Sequence, residues 1–285
     1  VKLRLAVPGD APAIEAFLRR HEQTSMFPLF NLNRYGLTGE GPMAMRFWLR
    51  EQVGGIVGAL GLSRGGLLMP QLPDVADCAP VADLLSGEVL IGAIGDRDQT
   101  RACLKALGMA GQPARHDTNE PGFTLPLDQL AIPDHAGMTL HAPRGQDIGV
   151  MVHWRSAYQR DLMGTPPQQC RTLAKRDVLG FLERDSHRLL YVNGQPVSMT
   201  GFNARLSDVA QVGGVYTPPG LRGRGYARRA VALHLAEART QGILRAVLFA
   251  ANDAAAAAYR AIGFERNGHI AMVVFNKPQT VAPDR

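Results

Sequence analysis

Two halves of this sequence follow the same plan, and that repetition constrains the fold more than any other feature. Each half opens with a short apolar stretch ending in proline, at residues 5–8 and 140–143. Each then continues into an amphipathic helical pattern, at 11–20 and 148–158. A strand, a proline turn and a helix are therefore predicted twice. We expect two domains of the same α+β (α/β) class.

The halves match again further along the chain. Each contains two strand-like stretches joined at a glycine turn, at residues 47–62 and 189–203. Such a turn between two apolar runs predicts a β-hairpin. Residues 103–109 then share the pattern of residues 258–264. The order of elements is therefore the same in both halves.

One segment breaks the correspondence. The first half has 53 residues from Gly55 to Gly108, whereas the second has 69 from Gly194 to Gly263. The first half therefore lacks about 16 residues, at the point where the second half carries a glycine-rich loop and the following helix.

The length of 285 residues and the 46% hydrophobic content suit two domains that each bury a core. Pro126, Pro133 and Gly137 resist regular structure. We therefore expect a first domain over residues 1–125, a linker over 126–137 and a second domain over 138–285.

Composition argues against several classes of protein. No apolar run approaches the length of a membrane span, and residues 1–8 lack the apolar stretch of a signal peptide, so a cytoplasmic protein without a membrane contact is expected. The three cysteines Cys78, Cys103 and Cys170 are not spaced as metal ligands, so reduced thiols and no metal are expected. The net charge is +6 and the pI is near 9.5, but the sequence has no basic tail, which disfavours nucleic-acid binding. The oligomeric state stays open.

A candidate anion site begins at Arg222. Residues 210–216 predict a strand, 217–221 an irregular connector, and 227–241 a helix ended by Gly242. Between connector and helix lies the sequence Arg-Gly-Arg-Gly-Tyr-Ala. The first amides of a helix have no intrahelical partner, and glycines before them allow close approach of a phosphate. Arginine side chains add positive charge and can hold a phosphate with two bonds.

Two familiar phosphate-binding loops fit poorly. The dinucleotide-binding fingerprint needs a small third residue after Gly223 and Gly225, where this chain has the bulky Arg228. The nucleoside-triphosphate loop needs a Gly-Lys-Ser/Thr sequence, which does not follow. Neither a dinucleotide nor a nucleoside triphosphate is therefore predicted.

The residues do resemble the GCN5-related N-acetyltransferase (GNAT) family. Arg222-x-x-Gly225-x-Ala227 matches the family's Gln/Arg-x-x-Gly-x-Gly/Ala signature, and Tyr259-x-x-x-Gly263-Phe264 resembles its second motif. The resemblance covers residues 138–276, and the first half is similar only in outline, as a degenerate copy. It implies two GNAT-like domains, each a mixed, mostly antiparallel twisted sheet flanked by helices.

The resemblance implies a binding site for acetyl-CoA. Its pantetheine would pair with the backbone of Val215 and Thr217, beside a sheet splayed at a bulge around Gly213-Gly214. Its pyrophosphate would meet the amides of Gly223, Arg224, Gly225, Tyr226 and Ala227, close to Arg222 and Arg228. Asn252 would hydrogen-bond the pantetheine.

The resemblance also implies direct attack of an amine on the thioester. The backbone N–H of Val215 or Tyr216 would stabilise the developing oxyanion, and Tyr259 would protonate the leaving thiolate. The general base stays open between His153, Asp161 and His187. Acceptor contacts are expected from Trp154, Tyr158, Asp161 and Asn203. Alternation along the strands does not decide whether Thr200 and Gln211 face the acceptor.

The first half is not expected to bind coenzyme A, since it has Leu104 where the second half has Tyr259 and lacks the loop signature. The predicted function is an acetyl-CoA-dependent N-acetyltransferase acting on an unidentified primary amine. A non-catalytic acyl-CoA binding or sensing module is the alternative, and a nucleic-acid binder the least favoured one.

Overall fold

The computed structural model describes residues 2–282, which divide into two compact units. One unit holds residues up to 120 together with those from 268 onward, and the other holds residues 121–267. In each unit, helices flank a mixed and mostly antiparallel sheet, as the fold prediction required.

The elements follow the order expected from the repeated pattern. The strands are β1 (Leu3–Leu5), β2 (Met45–Gln52), β3 (Gly55–Ser63), β4 (Leu67–Gln71), β5 (Val89–Asp96), β6 (Ala114–Pro126), β7 (Met138–His141), β8 (His187–Val192), β9 (Gln195–Arg205), β10 (Val209–Tyr216), β11 (Arg245–Phe249) and β12 (Glu265–Thr280). The helices are α1 (Ala11–Arg19), α2 (Glu22–Tyr35), α3 (Val81–Leu84), α4 (Arg97–Ala106), α5 (Ile148–Asp161), α6 (Pro167–Glu183), α7 (Tyr226–Thr240) and α8 (Asp253–Arg260). Single 3₁₀ turns lie at Pro8–Asp10, Val75–Cys78, Leu127–Gln129, Gly145–Asp147 and Pro219–Leu221.

In the first unit, β1 to β5 lie side by side in chain order, and residues 270–280 of β12 pair with β5. The β4–β5 pair is parallel and the others are antiparallel. Leu60, Leu68 and Leu90 of the sheet form a buried core with Cys103 and Leu104 of α4. The amphipathic pattern of α4 thus places its apolar side on the sheet.

In the second unit, the strand order is β6–β11–β10–β9–β8–β7, with only β10 and β11 parallel. Alternate residues of β8 enter different clusters: Leu189 packs with α5 and α6, whereas Leu190 packs with Ala230 of α7. Because strand side chains alternate between faces, α5 and α6 cover one face and α7 covers the other.

The repeat is visible in hydrogen bonds. The N–H of Met109 donates to Leu104 O at 2.8 Å, and the N–H of Phe264 donates to Tyr259 O at 3.2 Å. The intervening glycines, Gly108 and Gly263, both have positive φ, as a helix ended by a left-handed residue requires. Leu104 and Tyr259 therefore occupy the same place in two equivalent helix ends.

The opening turns also correspond, but with a register that differs from the predicted one. The N–H of Val7 donates to Asp10 at 2.8 Å, and the N–H of Arg144 donates to Asp147 at 2.7 Å. Val7 therefore matches Arg144, whereas the prediction aligned Pro8 with Pro143. The prolines mislead because Pro8 begins its turn and Pro143 precedes the other turn.

The division into units differs from the predicted domain boundaries. Residues 121–126 pair with β11, and residues 268–280 belong with the first unit through β5. The predicted linker 126–137 is held to the second unit: Leu127 exchanges hydrogen bonds with Leu244 and Arg239. Proline and glycine content cannot reveal such pairing, because the partners lie more than 100 residues away.

None of the helices described over residues 2–282 is both long and apolar enough to cross a bilayer.

Candidate active site

The sheet of the second unit opens between β10 and β11. Their pairing covers Val209–Gln211 on one strand and 245–247 on the other, and goes no further. Residues 212–216 of β10 continue without a partner in β11, while β11 stays paired to β6 up to Phe249. The result is a V-shaped gap bordered by the backbone of β10.

A β-bulge lies in β10 beside this gap. Gly213 pairs with Gly201 and Tyr216 with Met199, so Gly214 and Val215 together face the single residue Thr200. Gly214 has φ +65°, the left-handed conformation that a glycine-led bulge adopts. The bulge, expected at Gly213-Gly214, is confirmed there. It removes the peptide groups around Val215 from the regular ladder.

The loop after β10 leads into α7 with its first amides uncapped. Gly223 and Gly225 have φ +77° and +72°, and Gly225 is the N-cap residue. Among residues 2–282, no side-chain hydrogen bond caps the first turn of α7, Tyr226 to Arg228. In contrast, the N-cap Asn252 of α8 accepts from the N–H of Ala255 at 2.9 Å. The start of α7 therefore presents free donors and positive dipole charge to an anion.

Arginines shape this loop. Arg229 donates to the carbonyl oxygens of Asp134, Arg224 and Gly225 at 2.6, 3.1 and 3.3 Å. Arg222 donates to Thr217 O at 3.0 Å. The buried Nε of Arg228 has no partner among the described residues, and its guanidinium lies against Gly225. Arg229 thus fixes the loop, while Arg228 keeps hydrogen-bonding capacity for a ligand.

The end of β10 is braced by hydroxyl groups. Ser198 Oγ lies 2.9 Å from Thr217 Oγ1 and donates to Tyr216 O at 3.2 Å. The Tyr216 ring is buried and lies 6.1 Å from the Trp154 ring. These contacts hold the strand edge in place on the side that leads to the loop.

Tyr259 belongs to the core on the α7 side of the sheet. It is 7% exposed, and its ring meets Phe264 edge-on at 6.1 Å. Val215 packs against the same cluster. The residue predicted as the general acid and a residue predicted to line the cofactor therefore adjoin one buried cluster.

On the face covered by α5 and α6, His187 and Asn203 lie over glycines. His187, Gly201 and Gly213 form one row across β8, β9 and β10. A Cβ built on Gly201 would lie 2.3 Å from His187 Nε2, and one on Gly213 only 2.0 Å from Asn203 Nδ2. Because the His187 ring is buried, the Gly201 position requires glycine. Asn203 is exposed, whereas His187 is fully buried.

Four other predicted residues lie on α5. Trp154 is buried in the core, and Tyr158 stacks under Arg155 at 4.6 Å. Asp161 is exposed and pairs with Arg160 at 2.7 Å. His153 lines a groove of about 410 Å³ between α5 and α6. Of these four, Trp154 reaches β10, through the contact of its ring with Tyr216.

The corresponding strands of the first unit are arranged differently. Its β3–β4 ladder runs from Ala59 to Leu62 without a bulge. A Cβ on Gly95 would lie 3.0 Å from Pro70 O, so β4 and β5 approach closely. Gln99 Oε1 accepts from the N–H of Leu72 at 2.6 Å. The Gln99 side chain of α4 therefore occupies the strand edge that is open in the second unit.

Comparison with known proteins relates the second unit to one family. The model of the family described as "Acetyltransferase (GNAT) family" matches residues 151–264. No curated protein sequence matches the chain.

Several solved structures share the fold. A GNAT-family acetyltransferase from Colwellia psychrerythraea is 16% identical with TM-score 0.57, covering 97% of this chain and all of that one. A tandem GNAT protein from the clavulanic acid biosynthesis pathway is 15% identical with TM-score 0.58, over 100% and 99%. A GCN5-related N-acetyltransferase from Sphaerobacter thermophilus is 15% identical with TM-score 0.57, over 100% and 96%. Residues 151–264 thus match the model of the GNAT acetyltransferase family, in a chain with the fold of a tandem GNAT protein.

Proposed function

We propose that the protein transfers an acetyl group from acetyl-CoA to a primary amine, using one site in the second unit. The observation that carries this proposal is the combination of a splayed sheet, a glycine bulge at its edge and an uncapped helix start in one segment of 15 residues, from Gly213 to Ala227. An extended thioester with a pyrophosphate at its far end fits that combination.

Binding would use backbone groups and arginines. The free edge of β10 at Val215 and Thr217 can add the pantetheine as a further strand. The amides from Gly223 to Ala227 can receive the pyrophosphate, with Arg222, Arg224 and Arg228 close by. Asn252 already uses its Oδ1 to cap α8, so its amide nitrogen would be the group that serves the pantetheine.

The chemistry would be direct attack by a neutral amine. Negative charge then develops on the thioester oxygen, and a backbone N–H at Val215 or Tyr216 would stabilise it. Tyr259 would give its phenolic proton to the departing thiolate. A phenol can serve as the acid here because a thiolate is only weakly basic.

The first unit would not contribute a second site. It has no loop signature, its β3–β4 ladder has no bulge, and Gln99 occupies the equivalent strand edge. Leu104 takes the place of Tyr259 and has no proton to give. We therefore propose a single acetyl-CoA per chain.

The test combines binding and turnover on the full chain. Calorimetric titration with acetyl-CoA should give one site, and coenzyme A release should rise with at least one amine of a broad panel. Tight binding with no turnover across that panel would favour the sensing module instead. Absence of acetyl-CoA binding would contradict both the acetyltransferase and the sensing module.

A further inference from the structure

His187 stands out among the side chains near the bulge. Its ring is stacked on Phe181 at 3.6 Å and lies flat over Gly201. Its Nε2 points towards Gly214: a Cβ built on that glycine would lie 2.8 Å away. Nε2 is buried and has no hydrogen-bond partner among the described residues. A buried polar atom without a partner is uncommon and often marks a site of function.

Neighbouring groups fix which ring nitrogen carries the proton. His187 Nδ1 lies 2.9 Å from Ser186 Oγ, and Ser186 Oγ donates to Phe181 O at 3.4 Å. If Nδ1–H donates to the hydroxyl and the hydroxyl to the carbonyl, both bonds form. If instead the hydroxyl donates to Nδ1, the bond to the carbonyl is lost. The first arrangement is favoured, and it leaves a bare lone pair on Nε2.

The surroundings keep the ring neutral. Burial lowers the pKa of His187 well below its usual range, and the positive charges of Arg155, Arg184 and Arg188, with His234, act in the same direction. A neutral imidazole with a bare Nε2 accepts a hydrogen bond and does not repel an incoming amine.

The other candidates for the general base are placed less well. His153 lines the groove between α5 and α6, and Asp161 is exposed and paired with Arg160. The side chains nearest to a Cβ built on Gly213 or Gly214 are those of Asn203 and His187, not these two. Of these three residues, His187 is the one whose ring fills the space where a side chain of Gly201 or Gly214 would lie.

Resting on the proposed function, we infer that His187 Nε2 accepts a hydrogen bond from the attacking amine and then takes its surplus proton. The amine nitrogen bonds to the thioester carbon, and the carbon–sulfur bond breaks. The thiolate takes the proton of Tyr259, and the proton lost by nitrogen passes to Nε2. When the product leaves, the imidazolium passes its proton to water that enters the vacated site, and the tyrosinate regains one.

The experiment compares His187→Phe with His153→Phe in the full chain. Phenylalanine keeps the ring between Phe181 and Gly201 but removes the lone pair. With an amine that the wild type acetylates, we expect kcat to fall about 100-fold in His187→Phe, with the acetyl-CoA Kd unchanged. His153→Phe should retain wild-type kcat. A folded His187→Phe protein with wild-type kcat would overturn the inference.

A second measurement does not depend on turnover or on the variant folding. The ¹⁵N shifts of the wild-type histidines distinguish a protonated ring nitrogen from a bare one. We expect His187 to be protonated on Nδ1 and bare on Nε2 at neutral pH, and to stay neutral in mild acid. A proton on Nε2 would overturn the inference even if the protein is an active acetyltransferase. Absence of turnover with any amine would instead count against the proposed function, and the tautomer would still be readable.

Discussion

Three glycines, which have no side chain, shape the candidate site. Gly201, Gly213 and Gly214 lie where a Cβ would fall within 3 Å of His187 or Asn203. The glycines leave room for His187 and Asn203 to lie over the sheet face, where larger residues of the strands would otherwise place their own side chains. Glycine here creates space on the sheet, in addition to permitting the positive φ of Gly214.

The proposed acid can be tested by Tyr259→Phe. The change removes one hydroxyl and keeps the edge-on contact with Phe264. We expect kcat to fall by about 10²-fold or more, because the thiolate then leaves without a positioned acid. Acetyl-CoA affinity should persist. Tyr35→Phe in the first unit serves as the control and should leave kcat at the wild-type value. An equal kcat for Tyr259→Phe and wild type would exclude the acid role.

A buried histidine predicts acid sensitivity. Burial, with Arg188 and Arg205, lowers the pKa of His234 to about 3. The folded protein therefore keeps His234 neutral, whereas the unfolded chain binds a proton below about pH 6.5. Stability is complete above that pH and falls as pH decreases, by up to about 1.4 kcal/mol per pH unit for this residue.

The measurement is the free energy of unfolding in urea at several values between about pH 6.5 and 5. In His234→Gln the fall should be shallower by about one proton, whatever the absolute stability of the variant. Replacing the exposed His135 with glutamine should leave the slope as in the wild type. Parallel slopes for His234→Gln and the wild type would contradict the assignment.

Sequence reasoning reached some of these residues and missed others. Tyr259 and Gly225 belong to a motif, so their spacing indicates them. His187 was one of three open candidates for the general base, because the pattern of a strand does not show which residues of the neighbouring strand lie beside it. Arg229 carries no motif, and its contact with Asp134 joins positions 95 residues apart. Its role follows only from the folded loop.

At the scale of elements, the site depends on how β10 ends. The Gly-Gly sequence predicted the bulge, and the loop signature predicted where α7 begins. The extent of the splay was not readable from β10 or β11 alone. It follows from β11 pairing with β6 on its other side, a partner contributed by a segment that the sequence pattern assigned almost entirely to the first domain.

The glycine loop offers a matched pair of substitutions. Gly225 has φ +72°, and a Cβ there would lie 2.6 Å from the Arg229 guanidinium. Gly220, in the same connector, has open space and no positive φ. We expect Gly225→Ala to weaken acetyl-CoA binding about 10-fold or more, because strain of about 1–3 kcal/mol displaces the first amides of α7. Gly220→Ala should bind like the wild type. Calorimetry on both proteins decides; equal Kd values would show that the cradle does not hold the ligand.

At the scale of the whole molecule, the compact units differ from the predicted domain boundaries at both ends for one reason. Strand partners are chosen by long-range pairing, and local composition does not report them. β6 and β12 each contribute residues to both units. The number of repeats could be predicted, since each repeat has local signals, but the place where the chain passes between units could not.

This division predicts how truncation behaves. A fragment 138–285 lacks residues 121–126, the partner of β11, and retains 268–280 without β5. Exposed strand edges favour aggregation. We expect this fragment to be less soluble than the full chain and than a fragment 121–267, which keeps the β6–β11 pairing. Soluble yield and sedimentation of the three proteins are the measurement. A monomeric, stable 138–285 fragment would contradict the division.

The Gln99 contact with Leu72 has a thermodynamic consequence. In the first unit, the Gln99 side chain accepts a hydrogen bond from the strand edge. In the second unit, the equivalent edge would be filled by the bound ligand. A ligand stabilises only the states that bind it, by RT ln(1 + [L]/Kd). Saturating acetyl-CoA should therefore slow amide hydrogen exchange in β10 and at the start of α7, and leave the exchange of β4 and α4 unchanged. The strand edge of the first unit is then ordered with or without ligand, whereas that of the second unit becomes fully ordered only when substrate binds.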